Sequence, residues 1–152
     1  FVCIVPEKRK EITTEGGLDI RKNRKLIGMI ISVLKKKKIR VSLFIEPNIK
    51  AVMLARSLGA DSVELHTGNF CNLLNKGKKI SRSYLNLRNS ANYAKKIGME
   101  IHAGHGLTYK SAHKVSRIKS ISEFNIGHFI IADSLFVGLK NSIKKFKKII
   151  NK

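Results

Sequence analysis

The sequence opens with Phe1-Val-Cys-Ile-Val-Pro-Glu-Lys-Arg-Lys-Glu-Ile-Thr-Thr-Glu-Gly-Gly-Leu-Asp19, a short apolar run followed by a polar segment. The first five residues are rich in β-forming side chains and a proline ends the run, so the pattern predicts a buried strand. The polar segment contains a pair of hydroxyl side chains, Thr13 and its neighbour, and then two glycines. Ligand sites of parallel α/β folds lie at the carboxyl ends of strands, so we predict a site loop at this position.

After this segment the apolar pattern alternates between short β-type runs and helical stretches, which is typical of parallel β/α units. We predict five units, each a strand with its helical region: 1–5 with 20–34, 39–45 with 48–58, 62–67 with 83–97, 99–103 with 110–118, and 123–127 with one or two helices over 128–150. Asp19 is the predicted N-cap of the first helix, and Gly59 and Gly98 are predicted to end the second and third. Residues 68–82 are predicted to form a long loop.

The number of units predicts the architecture. Five units in 152 residues amount to about five eighths of a (β/α)8 barrel, which takes roughly 250 residues. We therefore predict an α/β fold, a partial TIM barrel, as a single domain over residues 1–152, with the remaining units upstream. An open doubly wound sheet is the competing architecture, but its GxGxxG fingerprint does not follow the first strand.

Composition limits the class of protein. With 43% hydrophobic residues, the chain can bury a sizeable core. Cys3 and Cys71 are far apart and form no CxxC pair, so we expect a reducing cytoplasm rather than a disulfide framework or a zinc ribbon. No apolar stretch reaches the roughly 18 residues of a membrane span, and the amino-terminus lacks the order of a signal peptide. We expect a cytoplasmic protein without a membrane partner.

The net charge of +21 and the pI of about 10.3 suggest a nucleic-acid or membrane partner. However, lysines are spread over all predicted helix surfaces, and no cluster interleaves aromatic residues as a single-strand binder would. We interpret the charge as a dispersed basic surface that could steer an anionic substrate. A basic nucleic-acid-binding module is kept as an alternative function, although we predict no specific nucleic-acid partner.

Polar residues concentrate at the predicted carboxyl ends of the strands. Glu64 and His66 share one side of the third strand, because strand side chains alternate. A carboxylate inside a barrel needs either a basic partner or a role in charge stabilisation or proton transfer. His105 lies between two glycines after the fourth strand, which leaves its imidazole room for a substrate and suits it to proton transfer. A structural histidine bonded within a turn is the alternative for His105.

The junction after the last strand predicts a phosphate site. Gly127 and His128 open the helix there, so backbone N–H groups at the helix start would face a bound phosphate. Gly106 on the neighbouring loop could complete the site. A turn-forming role is the alternative for each of these glycines taken alone.

Four of the five histidines, His66, His102, His105 and His128, are predicted to converge on one face. They support a second enzyme hypothesis, a metal-dependent hydrolase. The pair His102 and His105 spans a strand and a glycine loop rather than a helix, unlike the helical HxxxH metal motif. His102 could instead pack at the strand end.

Six motifs resemble the pyridoxine 5′-phosphate synthase family of vitamin B6 biosynthesis. Their order and spacing match the family pattern over the whole chain, and the prediction of a barrel rests more on this resemblance than on the apolar periodicity. The motifs are Pro-Glu-Lys-Arg-x-Glu-x-Thr-Thr-Glu-Gly-Gly-Leu-Asp at 6–19, Val-Ser-Leu-Phe-Ile at 41–45, Glu-Leu-His-Thr-Gly at 64–68, Ala-Gly-His-Gly-Leu-Thr-Tyr at 103–109, Asn-Ile-Gly-His at 125–128 and Val-Gly-Leu-Lys at 137–140.

The resemblance implies a transferase that condenses 1-deoxy-D-xylulose 5-phosphate with 3-amino-2-oxopropyl phosphate, giving pyridoxine 5′-phosphate, phosphate and water. It implies no cofactor, and we assign no metal ligands. It also implies a homo-octamer that binds small phosphorylated substrates, and a first loop that acts as a mobile lid.

The same resemblance assigns roles to individual residues. His105 matches the proton donor of the family and Glu64 matches its transition-state-stabilising glutamate. Gly106, Gly127 and His128 match positions that hold the aminoketone phosphate, and Thr13 matches a contact to the sugar phosphate.

The chain also departs from the family pattern. The first three strands of the family supply further substrate contacts and two catalytic bases, a histidine and a glutamate, which have no counterpart in this chain. Position 102 is histidine where asparagine is expected. Without those strands, 1–5 and 123–127 become exposed sheet edges, which favour aggregation. We therefore expect the 152-residue chain alone to be inactive.

Overall fold

The computed structural model describes residues 1–6 and 16–151. Thr13 and most of the predicted site loop lie outside the described residues. The prediction that this loop acts as a lid therefore concerns residues outside them as well. Within them, the strands are β1 Val2–Ile4, β2 Val41–Ile45, β3 Ser62–His66, β4 Glu100–Gly104 and β5 Glu123–Asn125. The helices are α1 Arg24–Lys36, α2 Ile49–Ser57, α3 Gly68–Asn75, α4 Ser81–Lys96, α5 Tyr109–Val115, α6 His128–Val137 and α7 Leu139–Ile150.

The five described strands form one parallel sheet in the order β1-β2-β3-β4-β5, with helices between consecutive strands. Sequential order is the order of a (β/α)8 barrel, whereas a doubly wound sheet reverses its order at a switch point. The predicted α/β fold is therefore confirmed, as a half-barrel consistent with a partial TIM barrel. Strands β1 and β5 are its two ends, as predicted.

The register places a mostly polar set of side chains on one face of the sheet and the apolar core on the other. We call Phe44, Glu64, His102 and Glu123 the central row and His66, Gly104 and Asn125 the terminal row, because each set is aligned across neighbouring strands. The alternate positions pack against the helices and belong to the hydrophobic core: Val41, Leu43, Ile45, Val63, Leu65, Ile101 and Ala103. Since strand side chains alternate, the two rows share the opposite, inner face of the sheet.

Left-handed residues follow each of the first four described helices, and Gly77 after α3 is one of them, with φ +65°. Gly59 after α2 has φ +89° and Gly98 after α4 has φ +72°, which confirms both predicted helix ends. Lys38 has φ +58° at the corresponding position after α1, where a side chain is strained. The predicted helical region over 128–150 is two helices, which meet at Gly138 with φ +80°.

The predicted N-cap of the first helix is wrong. Helix α1 begins at Arg24 and its N-cap is Asn23, not Asp19. The Asp19 carboxylate instead accepts a hydrogen bond from the backbone N–H of Lys22 at 3.2 Å. It stabilises a turn before the helix, in which Ile20 is buried with 3% exposure.

The predicted long loop over 68–82 is also wrong, because it contains helix α3. The helix has glycine and three asparagines among its eight residues, all of which have low helix propensity. Phe70, Cys71 and Leu74 are nevertheless buried at helical spacing. Burial of this apolar stripe therefore outweighs the local preference for a loop.

Helix α6 exposes apolar side chains. None of its ten described residues is buried, and Leu135 and Phe136 are 82% and 88% exposed. Among the described residues, no helix combines the length and apolar character that crossing a membrane requires.

Candidate active site

Glu64 lies in the centre of β3 and is 9% exposed. Its Oε2 accepts a hydrogen bond from Asn125 Nδ2 at 2.8 Å and a weaker one from the Cys3 thiol at 3.6 Å. Burial raises the pKa of Glu64, and the bonds from Asn125 and Cys3, which favour the carboxylate, offset part of that rise. The donors to the Glu64 carboxylate are thus an amide and a thiol, rather than the basic side chain of a salt bridge.

Gly104 provides the space for the Glu64 carboxylate. A Cβ at position 104 would lie 2.0 Å from Glu64 Oε1 and 3.1 Å from Asn125 Cβ. Gly104 is aligned with Asn125 on the strand between β3 and β5. Its missing side chain therefore allows Asn125 to reach Glu64 across β4.

His105 directly follows β4 and has φ +76°, a conformation that side-chain-bearing residues rarely adopt. The Thr67 hydroxyl donates to the carbonyl oxygens of Gly104 and His105, at 2.8 and 2.5 Å, and so fixes this turn. The centroid of the His105 ring lies 4.9 Å from that of His66 and 6.5 Å from that of Phe44. Two aromatic neighbours therefore orient the imidazole at the carboxyl end of the sheet.

The two predicted phosphate-binding loops lie at the same end of the sheet. Gly106 follows His105 and has φ +73°, and a Cβ there would lie 3.4 Å from Cys71 Cβ. Helix α6 begins at His128, as predicted, and its N-cap is Gly127. Apart from Gly127 and its two chain neighbours, no described residue has an atom within 4 Å of the place that a Cβ on Gly127 would take. The geometry leaves room for an anion, and phosphate binding stays a prediction.

The sequence interpretation missed Glu46, which directly follows β2. Its Oε1 accepts hydrogen bonds from His66 Nδ1 at 2.7 Å and from the Gly17 backbone N–H at 2.8 Å. The His66 bond lowers the pKa of Glu46, so this group is a carboxylate at neutral pH. Its place at the end of a strand was the signal that could have identified it.

His102 belongs to the central row beside Glu64. Its Nε2 lies 3.3 Å from Glu100 Oε1 and its Nδ1 lies 3.6 Å from Glu123 Oε1. Neither ring nitrogen forms a hydrogen bond within the described residues, so the two carboxylates lie near the imidazole without a hydrogen bond to it. The structure thus brings His66 and His105 into contact, while His102 is surrounded by carboxylates.

The metal-dependent hydrolase hypothesis needs at least three donor side chains around one point. Over residues 1–6 and 16–151, no group of three or more His, Cys, Asp or Glu side chains could hold a metal ion. The structure provides no support for this alternative.

Comparisons with known proteins agree with one another. The model of the family described as "Pyridoxal phosphate biosynthesis protein PdxJ" matches residues 1–152. The chain is 55% identical over 152 residues to the pyridoxine 5′-phosphate synthase of Pelagibacter ubique (strain HTCC1062), covering 100% of the chain and 64% of the relative. Over 149 residues it is 44% identical to the enzyme of the same name from Sulfurihydrogenibium sp. (strain YO3AOP1), covering 98% and 60%.

A third relative, the pyridoxine 5′-phosphate synthase of Rhodospirillum rubrum, is 46% identical over 145 residues, which cover 95% of this chain and 58% of that protein. The chain thus spans about three fifths of the length of these curated relatives. The match to the family model includes every residue of the chain. The chain belongs to the PdxJ family of pyridoxal phosphate biosynthesis proteins.

Proposed function

We propose that the protein to which this chain belongs is a pyridoxine 5′-phosphate synthase. It condenses 1-deoxy-D-xylulose 5-phosphate with 3-amino-2-oxopropyl phosphate, releases phosphate and water, and uses no cofactor. The observation that carries the proposal is the family match over residues 1–152. The buried Glu64 on the inner face of β3 supports it, as does the histidine loop after β4, which lies at the carboxyl end of a parallel sheet, where the active sites of barrel enzymes lie.

His105 is the proton donor in this proposal. The aromatic contacts with His66 and Phe44 and the Thr67 bonds to its turn favour one orientation of the imidazole. A positioned general acid typically accelerates a step by about 10²–10⁴. The left-handed backbone at His105 is the kind of local strain that clusters at functional sites.

Glu64 stabilises charge in the transition state. Its raised pKa brings proton exchange closer to neutral pH than for an ordinary glutamate, because burial disfavours the carboxylate. In a buried site a carboxylate interacts more strongly with a developing positive charge than it would in water. The Asn125 amide holds the carboxylate for this role.

Two phosphate contacts complete the proposal. Gly106, Gly127 and His128 hold the phosphate of the aminoketone, for which the start of helix α6 offers backbone N–H groups and open space. Thr13, outside the described residues, contacts the sugar phosphate.

We also propose how the chain is arranged in the whole protein. Its strands are the fourth to eighth of a (β/α)8 barrel, residues 1–152 form one partial domain, and the protein is a cytoplasmic homo-octamer. The exposed Leu135 and Phe136 on α6 support a further packing partner, because exposed apolar patches mark interaction sites. The free thiols of Cys3 and Cys71 are consistent with a reducing compartment.

The test is product formation by the full-length gene product. With both phosphorylated substrates, we expect pyridoxine 5′-phosphate by chromatography and an equal amount of inorganic phosphate. The His105→Asn variant should lower kcat by about 10²–10⁴, since asparagine tolerates the left-handed backbone but cannot donate the proton as imidazolium does. The 152-residue chain assayed alone should form no product.

The matched control is His113→Asn, because His113 lies on α5 and contacts Arg117 on the protein surface. Its kcat should equal that of the wild type. Phosphate release without the B6 product, or an active His105→Asn variant, would contradict the proposal. Steep salt-dependent binding of RNA in place of turnover would favour the nucleic-acid alternative instead.

A further inference from the structure

Glu46 joins two distant segments through a single oxygen. Its Oε1 accepts from the Gly17 N–H at 2.8 Å and from His66 Nδ1 at 2.7 Å. Gly17 borders the segment that contains Thr13, and a Cβ at position 17 would lie 2.2 Å from the Glu46 backbone nitrogen. Only glycine therefore allows the chain to approach β2 closely enough for this bond.

The bond to Glu46 determines which nitrogen of His66 carries the proton. The pKa of Glu46 is lowered, chiefly by this bond, so a carboxylate accepts and Nδ1–H donates. In neutral His66 the proton is then on Nδ1 and Nε2 is unprotonated. Nε2 is buried and has no hydrogen-bond partner in the described part of the chain.

The ring of His66 is enclosed by the site. It is 6% exposed, with its centroid 5.2 Å from that of Phe44 and 4.9 Å from that of His105. A Cβ at Gly68 would lie 2.5 Å from His66 Nε2 and 3.0 Å from His105 Cδ2. Glycine at position 68 is thus required for the two imidazoles to meet.

We propose that Glu46 and His66 are positioning residues for His105. Glu46 fixes the orientation and tautomer of the His66 ring, and His66 holds the His105 ring at the carboxyl end of β4. Because Glu46 also binds Gly17, the same carboxylate links His105 to the base of the first loop. The catalytic meaning of this arrangement rests on the proposed function, in which His105 donates the proton.

A purely structural role does not explain the choice of residues. Burying a polar nitrogen that lacks a hydrogen-bond partner is unfavourable. A phenylalanine at position 66 would fill the same space without that penalty. Histidine provides what an apolar ring cannot, a hydrogen bond that selects one ring orientation. That requirement accounts for the pairing with a carboxylate whose side chain is 51% exposed to water.

The kinetic test uses a double-mutant cycle in the full-length gene product. Glu46→Ala removes the acceptor, and His66→Phe keeps the ring but removes the donor. Each variant should lower kcat about tenfold and change KM by no more than about twofold. The loss is smaller than the roughly 10²–10⁴ rate acceleration of a positioned general acid, because His105 itself is kept. The double variant should also lose about tenfold, because both changes break one interaction. Glu46→Gln, which keeps an acceptor oxygen, should recover part of the loss.

The matched control is Glu100→Ala. Glu100 also faces a histidine, His102, at 3.3 Å, but it lies at the opposite end of β4 from His105. Its removal should leave kcat unchanged. A hundredfold loss in the double variant, or an unchanged kcat in Glu46→Ala, would overturn the positioning role.

A spectroscopic test does not depend on turnover. In ¹H–¹⁵N spectra of histidine-labelled full-length protein, His66 should show the Nδ1–H tautomer. Glu46→Ala should shift the ring signals of both His66 and His105, and Glu100→Ala should leave them in place. Unshifted His105 signals in Glu46→Ala would refute the proposal even in an active enzyme. If the signals shift but the protein forms no product, the structural coupling between Glu46, His66 and His105 is supported. Only the proposed function is then rejected.

Discussion

Asn125 at the end of β5 donates a 2.8 Å hydrogen bond to Glu64 on β3, across the intervening strand β4. The bond passes over Gly104, the one residue of the terminal row without a side chain. Burial raises the pKa of Glu64, and the amide two strands away offsets part of that rise by favouring the carboxylate.

The Gly104→Ala variant should lose stability. The added methyl group would lie 2.0 Å from Glu64 Oε1, and overpacking of this kind typically costs about 1–3 kcal/mol. Denaturant unfolding measures the loss. The matched control is Gly28→Ala in helix α1, where the nearest atom is Leu58 Cδ2 at 3.6 Å and alanine should stabilise by about 0.5–1 kcal/mol. Equal stability of the two variants would contradict the tight contact at Gly104.

The Glu64→Gln variant should gain stability relative to the wild type as pH rises. Because burial raises the pKa of Glu64, the folded protein binds that proton more tightly than the unfolded chain does. The stability that protonated Glu64 contributes is fully present below its ordinary pKa of 4.5 and is lost as pH rises through the raised pKa. Unfolding free energies measured from pH 4 to pH 8 would show the difference, and a pH-independent difference would disprove it.

Cys3 should react slowly with thiol reagents. Burial and the nearby Glu64 charge raise the pKa of Cys3 from 9.0 to about 12, so its thiolate fraction at pH 8 falls about a thousandfold. Alkylation in a Cys71→Ser background would report on Cys3 alone. Adding Glu64→Gln removes the charge and should speed the reaction, while denaturant should restore the rate of an ordinary thiol. A fast reaction in the native protein would be the opposite result.

The Lys38→Gly variant should stabilise the protein by about 0.5–1 kcal/mol. Lys38 has φ +58° after helix α1, and glycine adopts that conformation without the steric penalty of a side chain. The control is Lys37→Gly, since Lys37 has φ −88° and gains nothing from glycine. Thermal unfolding should rank Lys38→Gly above the wild type and Lys37→Gly below it.

The β/α order of the fold could be predicted because strands and helices carry different apolar periods. Helix α3 could not, because Gly68 and its asparagines favour a loop, and only the packing of Phe70 and Leu74 in three dimensions decides otherwise. Asp19 was misassigned for a related reason. A capping residue stabilises a turn as well as a helix, and local sequence does not separate the two.

Part of the candidate site could be predicted from general rules about strands. Strand alternation singled out Glu64 inside β3, and the rule that ligands bind beyond strand ends singled out His105 and, applied to β2, would also have singled out Glu46. The catalytic roles of these residues stay predictions. The bond from Asn125 to Glu64 was beyond sequence reasoning, since it depends on the register of strands whose partners lie far apart in the chain. The contact between His66 and His105 depends likewise on the small size of Gly68.

The two bonds to Glu64 also constrain when the site can form. Cys3 precedes Glu64 by 61 residues and Asn125 follows it by 61, so both contacts close long loops. Closing a loop of this length lowers the entropy of the chain before the contact begins to stabilise the fold. Proteins that are dominated by such non-local contacts therefore fold more slowly. During synthesis, Glu64 therefore gains its amide donor only after β5 has been made and docked, so we expect the pair of bonds to Glu64 to be completed late in folding.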